Sequence, residues 1–567
     1  MSITGIRHAG TRALLVEFTG LSSVLAFHRR LNSDPLPGQV DAISAAATVL
    51  VKFSSATHVK EAAEIIPHLE IDSSLRTRSG HLVTIEVVYD GQDLDEVGRL
   101  TGLGANGVIA AHTGQLWTGA FGGFAPGFTY LVGENHSLDV PRQQTPRTSV
   151  PAGAVALGGT FSAVYPRKSP GGWQLLGHTE AVMWDLDRDS PALVRPGDTV
   201  RYVSVREAVS VSKGGSAEQN VNQIQASAKG DPDAWGVRVK STGLQSLIQD
   251  LGRPGYGDLG VAVSGAADPR AARQANRLVG NEAGAAVVEN LLGGLVLSAQ
   301  GDQVLAVTGA RSTLEILDSK QTFLRTAALC EPFALLDGEN LHLGPTTAGV
   351  RAYVAVRGGL DVPPVLGSRS TDSMSGIGPA PLSSGSFLPV AQLTGLKPVG
   401  WREPPTLGDD APEATLRIVL GPRDDWFDEA GIHDLTSQQW RVTEQSNRVG
   451  LRLAPLASST DADQSDQPGR ALQRSHGGEL PSEGAVNGAL QVPPNGHPVL
   501  FLADHPTTGG YPVIAVVVTE DLPSAAQLAP GNLASFTIVD AETLMPIEYT
   551  RPSVSAMGGT VSEGTQR

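Results

Sequence analysis

Two kinds of hydrophobic pattern alternate in the first eighty residues. Residues 13–18 and 47–53 are short apolar runs of strand length, whereas residues 22–31 and 59–68 space their apolar positions as helices do. Strands and helices mixed in so short a stretch predict a small α+β unit over residues 1–80.

The pattern changes to short strands from residue 81 onward. Residues 83–89 predict a strand and residues 96–105 a helix, and strands broken by glycine and proline then continue to 198–205. The 66 glycines and 38 prolines of the chain are spread as turn residues between Val- and Leu-rich runs, which favours a β-rich fold. We predict one domain over 81–206 and, where strand patterning resumes at 236–239, a second over 235–545.

Three segments lack the apolar clusters needed for a packed core. Residues 207–234 are dominated by Ser, Gly, Asn, Gln and Lys, which is typical of a linker. Residues 457–478, rich in Ser, Thr, Asp and Gln, predict a surface loop, and residues 546–567 predict a flexible tail.

The second half of the chain echoes the first. Each half contains, in the same order, a Gly-Ala-Val triplet, a Gly-Gly-aromatic turn, and a Pro-Gly turn followed by a strand. In the first half these motifs lie at 153–155, 171–173 and 196–197. In the second half they lie at 484–486, 509–511 and 530–531. A repeated β-rich architecture would explain this order. Chance remains the alternative, because such turns are common.

Charge and cysteine content narrow the classes of function. The 42 basic and 58 acidic residues give a net charge of −16, which disfavours nucleic acid as a partner. The single cysteine, Cys330, excludes an internal disulfide and predicts an inert buried thiol. No apolar run approaches the roughly 20 residues that span a bilayer, and no signal-peptide core is present, so we expect a cytoplasmic protein without a membrane partner.

Several catalytic motifs are absent from the sequence. It contains no Gly-x-x-x-x-Gly-Lys-Ser/Thr phosphate loop, no His-Glu-x-x-His zinc motif and no nucleophile elbow in a strand–helix setting. We therefore predict no metal site. The Gly-Gly-Ser at 214–216 lacks the continuation found in amidases, so we do not expect amidase activity from this chain alone.

A first dense motif block runs from residue 122 to residue 179. Glycines and prolines stiffen its turns, and two arginines, Arg142 and Arg147, offer planar forks suited to carboxylate or phosphate. The aromatic residues Phe128 and Trp173 could form a pocket wall beside them. The alternative is that the aromatic residues are core and the arginines pair with surface acids.

A second block begins at residue 243 and carries amide, carboxylate and guanidinium side chains. Such a set could hold a small polar ligand, or it could be a structural network that satisfies buried turns. Its members include Gln249, Asp250, Arg253, Asp268, Arg369, Glu483 and, in a Thr-Thr-Gly-Gly-Tyr-Pro segment, Tyr511.

The first block, with its Gly-Phe-Ala-Pro-Gly-Phe and Ser-Pro-Gly-Gly-Trp segments, resembles the first-subunit family of allophanate hydrolase (the B component of oxoprolinase, or Kip inhibitor). The second, with Gln-Asp-Leu-Gly-Arg-Pro-Gly and Gly-Ser-Arg-Ser-Thr-Asp, resembles the second-subunit family (the C component of oxoprolinase, or Kip antagonist), a urea-amidolyase-related carboxyltransferase-domain family. His178 stands where arginine is usual. The resemblance implies a β-rich α+β fold with two cyclophilin-like β-barrel halves, the first preceded by a small α/β subdomain.

The resemblance also implies a function. It predicts the fused B/C accessory part of an ATP-dependent 5-oxoprolinase, which would open 5-oxoproline to glutamate with a separate large catalytic subunit, with ATP entering through that complex. We expect a small-molecule substrate, and homo-oligomers are compatible with this prediction. The predicted catalytic residues are Asp250, Asp268, His178 and Glu483, and the predicted substrate-binding residues are Arg142, Arg147, Gln249, Arg253, Arg369, Phe128, Trp173 and Tyr511.

Two alternative functions stay open. Related domains form the carboxyltransferase part of urea carboxylase, which would make the chain a component of a biotin-dependent system. The unfused family also includes an inhibitor of a sensor histidine kinase and its antagonist, which would make it a regulatory module. Covalent joining of the two halves argues against a switch that works by their separation.

Overall fold

The structure is a computed structural model, and it describes residues 3–70, 80–143, 145, 147–206, 235–391, 396–408, 413–456, 469–478 and 480–548. The predicted linker, residues 457–468 of the predicted loop and nearly all of the predicted tail lie outside these ranges. None of the helices in the described parts is long and apolar enough to cross a membrane.

The N-terminal unit is a four-stranded antiparallel sheet with two helices, as its pattern predicted. The sheet order is β1-β2-β4-β3, and Val49 and Val51 of β4 point into the core beneath the helices. Its elements are β1 (Ile3–His8), β2 (Ala13–Phe18), α1 (Leu21–Ser33), β3 (Gln39–Ser44), β4 (Thr48–Phe53) and α2 (Ala56–Ile65).

The first barrel follows. The single helix predicted at 96–105 is two helices, because Gly102 takes a left-handed φ of 73° and ends the first of them. The elements are β5 (Leu82–Val87), α3 (Leu94–Thr101), α4 (Gly104–Thr113), β6 (Trp117–Gly123), β7 (Ala125–Gly133), β8 (Arg147–Val150), β9 (Ala154–Gly158), β10 (Phe161–Val164), β11 (Ser169–Gly171), β12 (Gln174–His178) and β13 (Thr199–Ser204).

A seven-stranded sheet forms the wall of this barrel, in the order β12-β9-β10-β7-β6-β13-β5. The bridge between Val88 and His178, with two backbone hydrogen bonds of 2.9 Å, joins its ends. Strands β5 and β13 are parallel, and the other pairs are antiparallel. The core between the sheet and the two helices is apolar, with Trp117 and Tyr202 at its centre.

A two-sheet sandwich opens the second half. Its six-stranded sheet, β20-β19-β22-β17-β14-β24, packs on a five-stranded sheet, β15-β16-β23-β18-β21, around a Val- and Leu-rich core. The elements are β14 (Gly236–Thr242), β15 (Gln245–Gln249), α5 (Pro269–Leu278), β16 (Val287–Leu291), β17 (Leu295–Gln300), β18 (Gln303–Arg311), β19 (Leu314–Leu317), β20 (Phe323–Ala327), β21 (Phe333–Leu335), β22 (Asn340–Leu343), β23 (Ala348–Val356) and β24 (Phe387–Pro389).

The second barrel is closed. Its strand order is β25-β32-β29-β30-β27-β26-β33, and the last strand returns to pair with the first. The elements are β25 (Glu413–Leu420), α6 (Glu429–Ser437), β26 (Gln439–Val442), β27 (Gly450–Leu456), β28 (Glu483–Gly484), β29 (Ala489–Gln491), β30 (Val499–Phe501), β31 (Thr508–Gly509), β32 (Val513–Val517), α7 (Leu522–Ala525) and β33 (Leu533–Ile538), and short 3-10 turns occur at Ile66–His68, Gly257–Leu259 and Asp424–Trp426.

The two barrels are topological copies of each other. Reading around each wall, β12-β9-β10-β7-β6-β13-β5 of the first corresponds strand for strand to β32-β29-β30-β27-β26-β33-β25 of the second. The correspondence extends to a buried indole: Trp117 Nε1 donates to the His112 carbonyl at 3.0 Å, and Trp440 Nε1 donates to the Leu435 carbonyl at 2.9 Å. The internal repeat predicted from the turn order is thus confirmed.

The four units pack tightly against one another. Leu15 and Leu50 of the N-terminal sheet share an apolar cluster with Phe501 and Val516 of the second barrel. The first barrel meets the sandwich so closely that a Cβ added at Gly122 would lie 2.2 Å from the carbonyl oxygen of Asp258. Only glycine permits that approach.

Candidate functional site

A cavity of about 190 Å³ lies between the first barrel and the sandwich. Both halves of the chain are therefore needed to form it. The first barrel supplies Pro126, Pro166, Arg167, Val182, Trp184, Asp185, Leu186 and Asp187, and the sandwich supplies Ser375 and Ile377.

The first-barrel wall of this cavity is stiff and carries hydrogen-bond donors. Gly127, with a φ of 77°, lets the chain at Trp184 pass close by, since an added Cβ would lie 3.0 Å from the Trp184 Cβ. Trp184 Nε1 and Arg167 Nε are buried and have no hydrogen-bond partner among the described residues. Unpaired buried donors are rare and costly, so they mark a place where an acceptor would be favourable.

Arg167 links the two halves. Its guanidinium donates to the carbonyl oxygen of Met374 in the sandwich, and it lies near the carboxylate of Asp372. Burial lowers the pKa of Arg167, and the negative charge of Asp372 opposes that effect. The guanidinium remains charged, because arginine pKa values lie far above neutrality.

The opposite wall is the loop over residues 367–378, and Asp250 holds its first part. The Asp250 carboxylate accepts hydrogen bonds from Ser368 Oγ at 2.6 Å, the Arg369 backbone N–H at 2.6 Å, the Gly252 N–H at 2.8 Å and the Ser370 hydroxyl. A carboxylate with four donors is well suited to fixing a loop.

Gln249, Arg253 and Arg369 hold the same loop. Gln249 Nε2 donates to the Thr371 carbonyl at 2.9 Å, Arg369 Nε donates to Val362 at 2.6 Å, and Arg253 donates to the Ser370 carbonyl. These predicted substrate-binding residues therefore gather in one cluster with Asp250, directly behind the cavity wall.

Arg253 is unusual because it is 1% exposed and its Nε and Nη1 have no partner among the described residues. Burial lowers its pKa, and the nearby carboxylates of Asp372, Asp250 and Asp504 oppose that shift. The cluster thus balances a buried cation against several acids.

Asp372 and Asp504 lie deeper, and their pKa values shift in opposite directions. Burial first, and then the charge of Asp504, raises the pKa of Asp372. Burial would also raise the pKa of Asp504, but Arg448, with Nε and Nη2 at 2.9 and 3.0 Å, outweighs burial and lowers it. Asp504 therefore stays ionised within an ion pair.

Asp268 serves as the N-cap of α5. Its Oδ1 accepts from the Ala271 N–H at 3.0 Å, and its Oδ2 accepts from Gln527 Nε2 of the second barrel at 3.1 Å. Burial raises its pKa. These contacts connect the sandwich to the second barrel and lie apart from the cavity.

The predicted first-half residues Arg147 and His178 lie on the first barrel outside the cavity. Arg147 Nη2 contacts both carboxylate oxygens of Asp93, at 2.7 and 2.9 Å. His178 Nδ1 lies 2.9 Å from Asp90 Oδ1 at the surface, and its backbone closes the barrel.

An aromatic seam, formed by Arg142, Trp173, Arg474 and Tyr511, lies where the two barrels meet. Arg142 stacks over Trp173, with its guanidinium carbon 5.8 Å from the ring centroid, and Arg474 stacks over Tyr511 at 5.6 Å. Phe128 meets Trp173 edge to face at 5.6 Å. Arg142 Nη1 would be 3.9 Å from a Cβ added at Gly510, so the two stacks are neighbours.

Glu483 takes part in an ion-pair lock. Arg423 donates to both Glu483 oxygens and to Glu17 of the N-terminal unit. Burial raises the pKa of Glu483, and Arg423 opposes the shift. Its carboxylate is therefore engaged in structure.

None of the predicted site residues lines the cavity, and Arg167, Trp184 and Ser375 are among the lining residues that the sequence analysis missed. Arg167 follows the Tyr-Pro pair at 165–166 directly and could have been noted on that basis. Ser375 follows the Gly-Ser-Arg-Ser-Thr-Asp segment of the second motif block, whereas Trp184 had no sequence signal. In the described parts of the chain, no group of three or more His, Cys, Asp or Glu side chains could hold a metal ion.

Both halves of the chain match models of known protein families. The carboxyltransferase domain, subdomain C and D, matches residues 4–194, and the carboxyltransferase domain, subdomain A and B, matches residues 259–538. These matches coincide with the N-terminal unit plus most of the first barrel, and with most of the sandwich plus the second barrel.

Three curated relatives illustrate the similarity. The C component of 5-oxoprolinase from Escherichia coli is 33% identical over 311 residues, which are 53% of this chain and 90% of that protein. The B component of 5-oxoprolinase from Escherichia coli is 45% identical over 130 residues, covering 22% of this chain and 60% of that protein. Urea amidolyase of Lachancea kluyveri is 30% identical over 328 residues, which are 55% of this chain but only 17% of that protein.

A solved structure matches nearly the whole molecule. The crystal structure of TTHA0988 superposes with a TM-score of 0.78 and 32% identity, covering 93% of this chain and 99% of that one. It supports the two-barrel architecture as well as the fused arrangement. The chain belongs to the carboxyltransferase-domain family and joins, in one polypeptide, regions similar to the B and C components of 5-oxoprolinase.

Proposed function

We propose that the chain is the fused B/C accessory component of an ATP-dependent 5-oxoprolinase and works with a separate large catalytic subunit. The names of its relatives support this assignment. The observation that carries the proposal is the cavity between the first barrel and the sandwich, since motif segments of both halves meet there. A site that needs both regions explains why the two would act together.

The cavity suits a small cyclic amide that carries a carboxylate. Arg167 offers a guanidinium for the carboxylate, and the Trp184 indole offers a donor for a carbonyl oxygen. Its 190 Å³ is below the roughly 300–1,000 Å³ that drug-sized ligands occupy. We therefore assign ATP to the complex with the large subunit and 5-oxoproline to this cavity.

The chemistry of a lactam supports the proposed use of ATP. A lactam is a poor electrophile, and phosphorylation of its amide oxygen would make ring opening easier. A guanidinium and an indole N–H fixed in place would stabilise the anionic groups of such a substrate without having to reorganise. The residues of this chain would bind and orient the substrate, and the phosphoryl transfer would belong to the partner.

The test is a coupled assay for 5-oxoproline-dependent ATP hydrolysis and glutamate release, with this chain and the large subunit alone and mixed. We expect activity only in the mixture. Arg167→Met should reduce it about 10–100-fold, because one charge-assisted contact is worth about 1.5–3 kcal/mol. Arg452→Met, on the exposed outer face of β27, is the matched control and should leave it unchanged. An inactive mixture of folded proteins would refute the proposal.

A second function is favoured by one observation, the match to urea amidolyase across 328 residues. In that case the chain would move a carboxyl group from a carboxybiotin carrier to urea. Mixing the chain with a purified carrier protein that carries carboxybiotin distinguishes the two functions. Only the second function predicts that the carrier loses its carboxyl group when urea is added.

A further inference from the structure

A second cavity, of about 250 Å³, lies at the junction of the N-terminal unit, the sandwich and the second barrel. It does not share any lining residue with the cavity assigned above. Its polar lining groups include Lys52 from β4, Ser264 from the sandwich, and Asn487 and His505 from the second barrel.

Lys52 occupies an unexpected position for a lysine. Side chains of β4 alternate, so that Val49 and Val51 enter the N-terminal core whereas Leu50 and Lys52 face the second barrel. Leu50 packs there against apolar residues. An apolar side chain would suit position 52 as well, and a lysine at such a packed interface is costly unless it has a partner.

The ammonium of Lys52 makes no hydrogen bond and no ion pair within 4 Å to any residue that the structure describes. Its cross-strand neighbour on β3 is Asp41, whose charge acts on it from a longer distance. Burial lowers the pKa of Lys52, and Asp41 opposes the shift. The cation therefore faces the cavity without a bound acceptor.

His505 provides the complementary group. It is 3% exposed, and its Nδ1 lies 2.8 Å from the Pro506 carbonyl, to which it can only donate. Burial lowers the pKa of His505 to about 3, so the ring is neutral and Nε2 carries a lone pair. Nε2 has no hydrogen-bond partner in the described parts of the chain.

Of the other polar lining groups, Asn487 is exposed to solvent, and Ser264 Oγ donates to Asp504 Oδ1 at 2.7 Å. Arg12 binds Glu520 at 3.1 Å, and the hydroxyls of Thr11 and Thr519 are 3.3 Å apart. Apolar wall is contributed by Val40, Phe53, Val263, Val486, Val516 and Leu522. The cavity thus combines the Lys52 cation, the His505 acceptor and an apolar wall.

We propose that this cavity binds a small organic carboxylate that also carries an O–H or N–H group. The carboxylate would pair with Lys52, the O–H or N–H would donate to His505 Nε2, and the apolar wall would cover the carbon skeleton. A charge-assisted bond and an oriented neutral bond together select such a ligand over a simple anion or a neutral amide. This site is independent of the function proposed above.

Calorimetric titration of the full chain tests the proposal with three probes: lactate, propionate and lactamide. We expect lactate to bind most tightly, propionate several-fold more weakly because it lacks the donor, and lactamide not at all because it lacks the charge. Lys52→Met should weaken lactate binding at least tenfold. His505→Phe should reduce lactate to the affinity of propionate. Lys240→Met, an exposed lysine on the sandwich, is the control.

Thermal unfolding separates a ligand site from a structural lysine. Because Lys52→Met removes a half-buried cation that has no bonded partner among the described residues, the ligand-free variant should unfold at a higher temperature than wild type. No binding of lactate, equal binding by Lys52→Met, or a lower unfolding temperature of that variant would each overturn the proposal. None of these measurements requires the large subunit or 5-oxoproline turnover, so failure here is distinct from failure of the proposed function.

Discussion

The two barrels share their strand order but differ in how their walls are locked. In the first, Arg147 pairs with Asp93, and both residues belong to that barrel. In the second, Arg423 pairs with Glu483 of its own barrel and also with Glu17 of the N-terminal unit. The two barrels therefore have the same strand order but different ion pairs. The pair of the first barrel lies within that barrel, whereas Arg423 of the second also connects its barrel to the N-terminal unit.

The barrels also differ in their aromatic content. The first packs Phe128, Tyr130, Tyr165 and Trp173 edge to face on the side that meets its copy. At the corresponding place the second has Tyr511, which is 42% exposed. The first barrel thus supplies most of the aromatic rings beside the seam, and the second supplies the Tyr511 ring and the Arg474 guanidinium.

The largest contrast should come from removing the arginine of each ion pair, Arg147 in the first barrel and Arg423 in the second. Arg423→Ala leaves the buried Glu483 carboxylate without its counter-ion, whereas Glu17 keeps Arg7 Nε at 3.2 Å, and it should cost about 3–5 kcal/mol of unfolding free energy. Arg147→Ala should cost less, because Asp93 keeps hydrogen bonds from the Leu175 N–H at 2.7 Å and Gln143 Nε2 at 3.0 Å. Urea denaturation measures both.

A double variant provides the control for this first test. Arg423→Met with Glu483→Leu replaces the charged pair by apolar side chains and should recover most of the stability. Equal losses for Arg423→Ala and Arg147→Ala would contradict the distinction between the locks.

Matched indole substitutions probe what the barrels have in common. Trp117→Phe and Trp440→Phe each remove one buried N–H donor and part of a ring, at a cost of about 2–3 kcal/mol. We expect the two losses to agree within about 0.5 kcal/mol, because each indole donates one hydrogen bond of the same kind at the corresponding position. A difference of several kcal/mol would show that the copies are not energetically equivalent.

The two barrels differ in titratable character at the residue that accepts the indole hydrogen bond. The carbonyl that accepts from the indole belongs to His112 in the first and to Leu435 in the second. Burial lowers the pKa of His112 to about 3 from 6.5, so below pH 6.5 the unfolded chain binds a proton that the folded chain does not.

Stability should therefore fall with acidification and be about 2 kcal/mol lower at pH 5 on account of this group. His112→Gln should flatten that part of the pH profile, which denaturation at pH 7, 6 and 5 would reveal. An unchanged slope in the variant would show that the ring is not kept neutral.

The smallest effects belong to the stacked arginines. Arg142→Ala should cost about 0.5–1 kcal/mol, because it removes a cation–π contact only. Arg474→Ala should cost up to about 1 kcal/mol more, because it also donates to the Val492 carbonyl. If Arg142 binds substrate, the activity of the complex falls sharply in Arg142→Ala despite its small effect on stability. Unchanged activity would remove Arg142 from the site.

The sequence predicted elements well wherever hydrophobic periodicity was local. The strand at 13–18 matches β2, whereas the helix expected at 96–105 missed the left-handed turn at Gly102 that splits it. Contiguous motifs also pointed to the members of the cluster around Asp250 one by one, although the contact of Asp250 with Arg369 spans 119 positions and their predicted roles in catalysis and substrate binding stay predictions. Periodicity and motifs are short-range signals.

Such short-range signals could not predict the residues that line the two cavities. Arg167 contacts Met374, which is 207 positions away in the sequence, and Lys52 faces another unit of the structure. Neither residue looks special beside its sequence neighbours. What makes them notable is burial without a partner, and burial between units is a property of packing that no local pattern carries.

The parallel pairing of first and last strands has a consequence for synthesis on the ribosome. Leu82 of β5 pairs with Thr199 of β13, 117 positions later, and Glu413 of β25 pairs with Leu533 of β33, 120 positions later. The wall of each barrel therefore cannot close until its final strand has emerged from the ribosome. Until then β5 and β25 present unpaired edges to the cell, so these two strands are where nascent chains of this protein would be most exposed to chaperones and to aggregation.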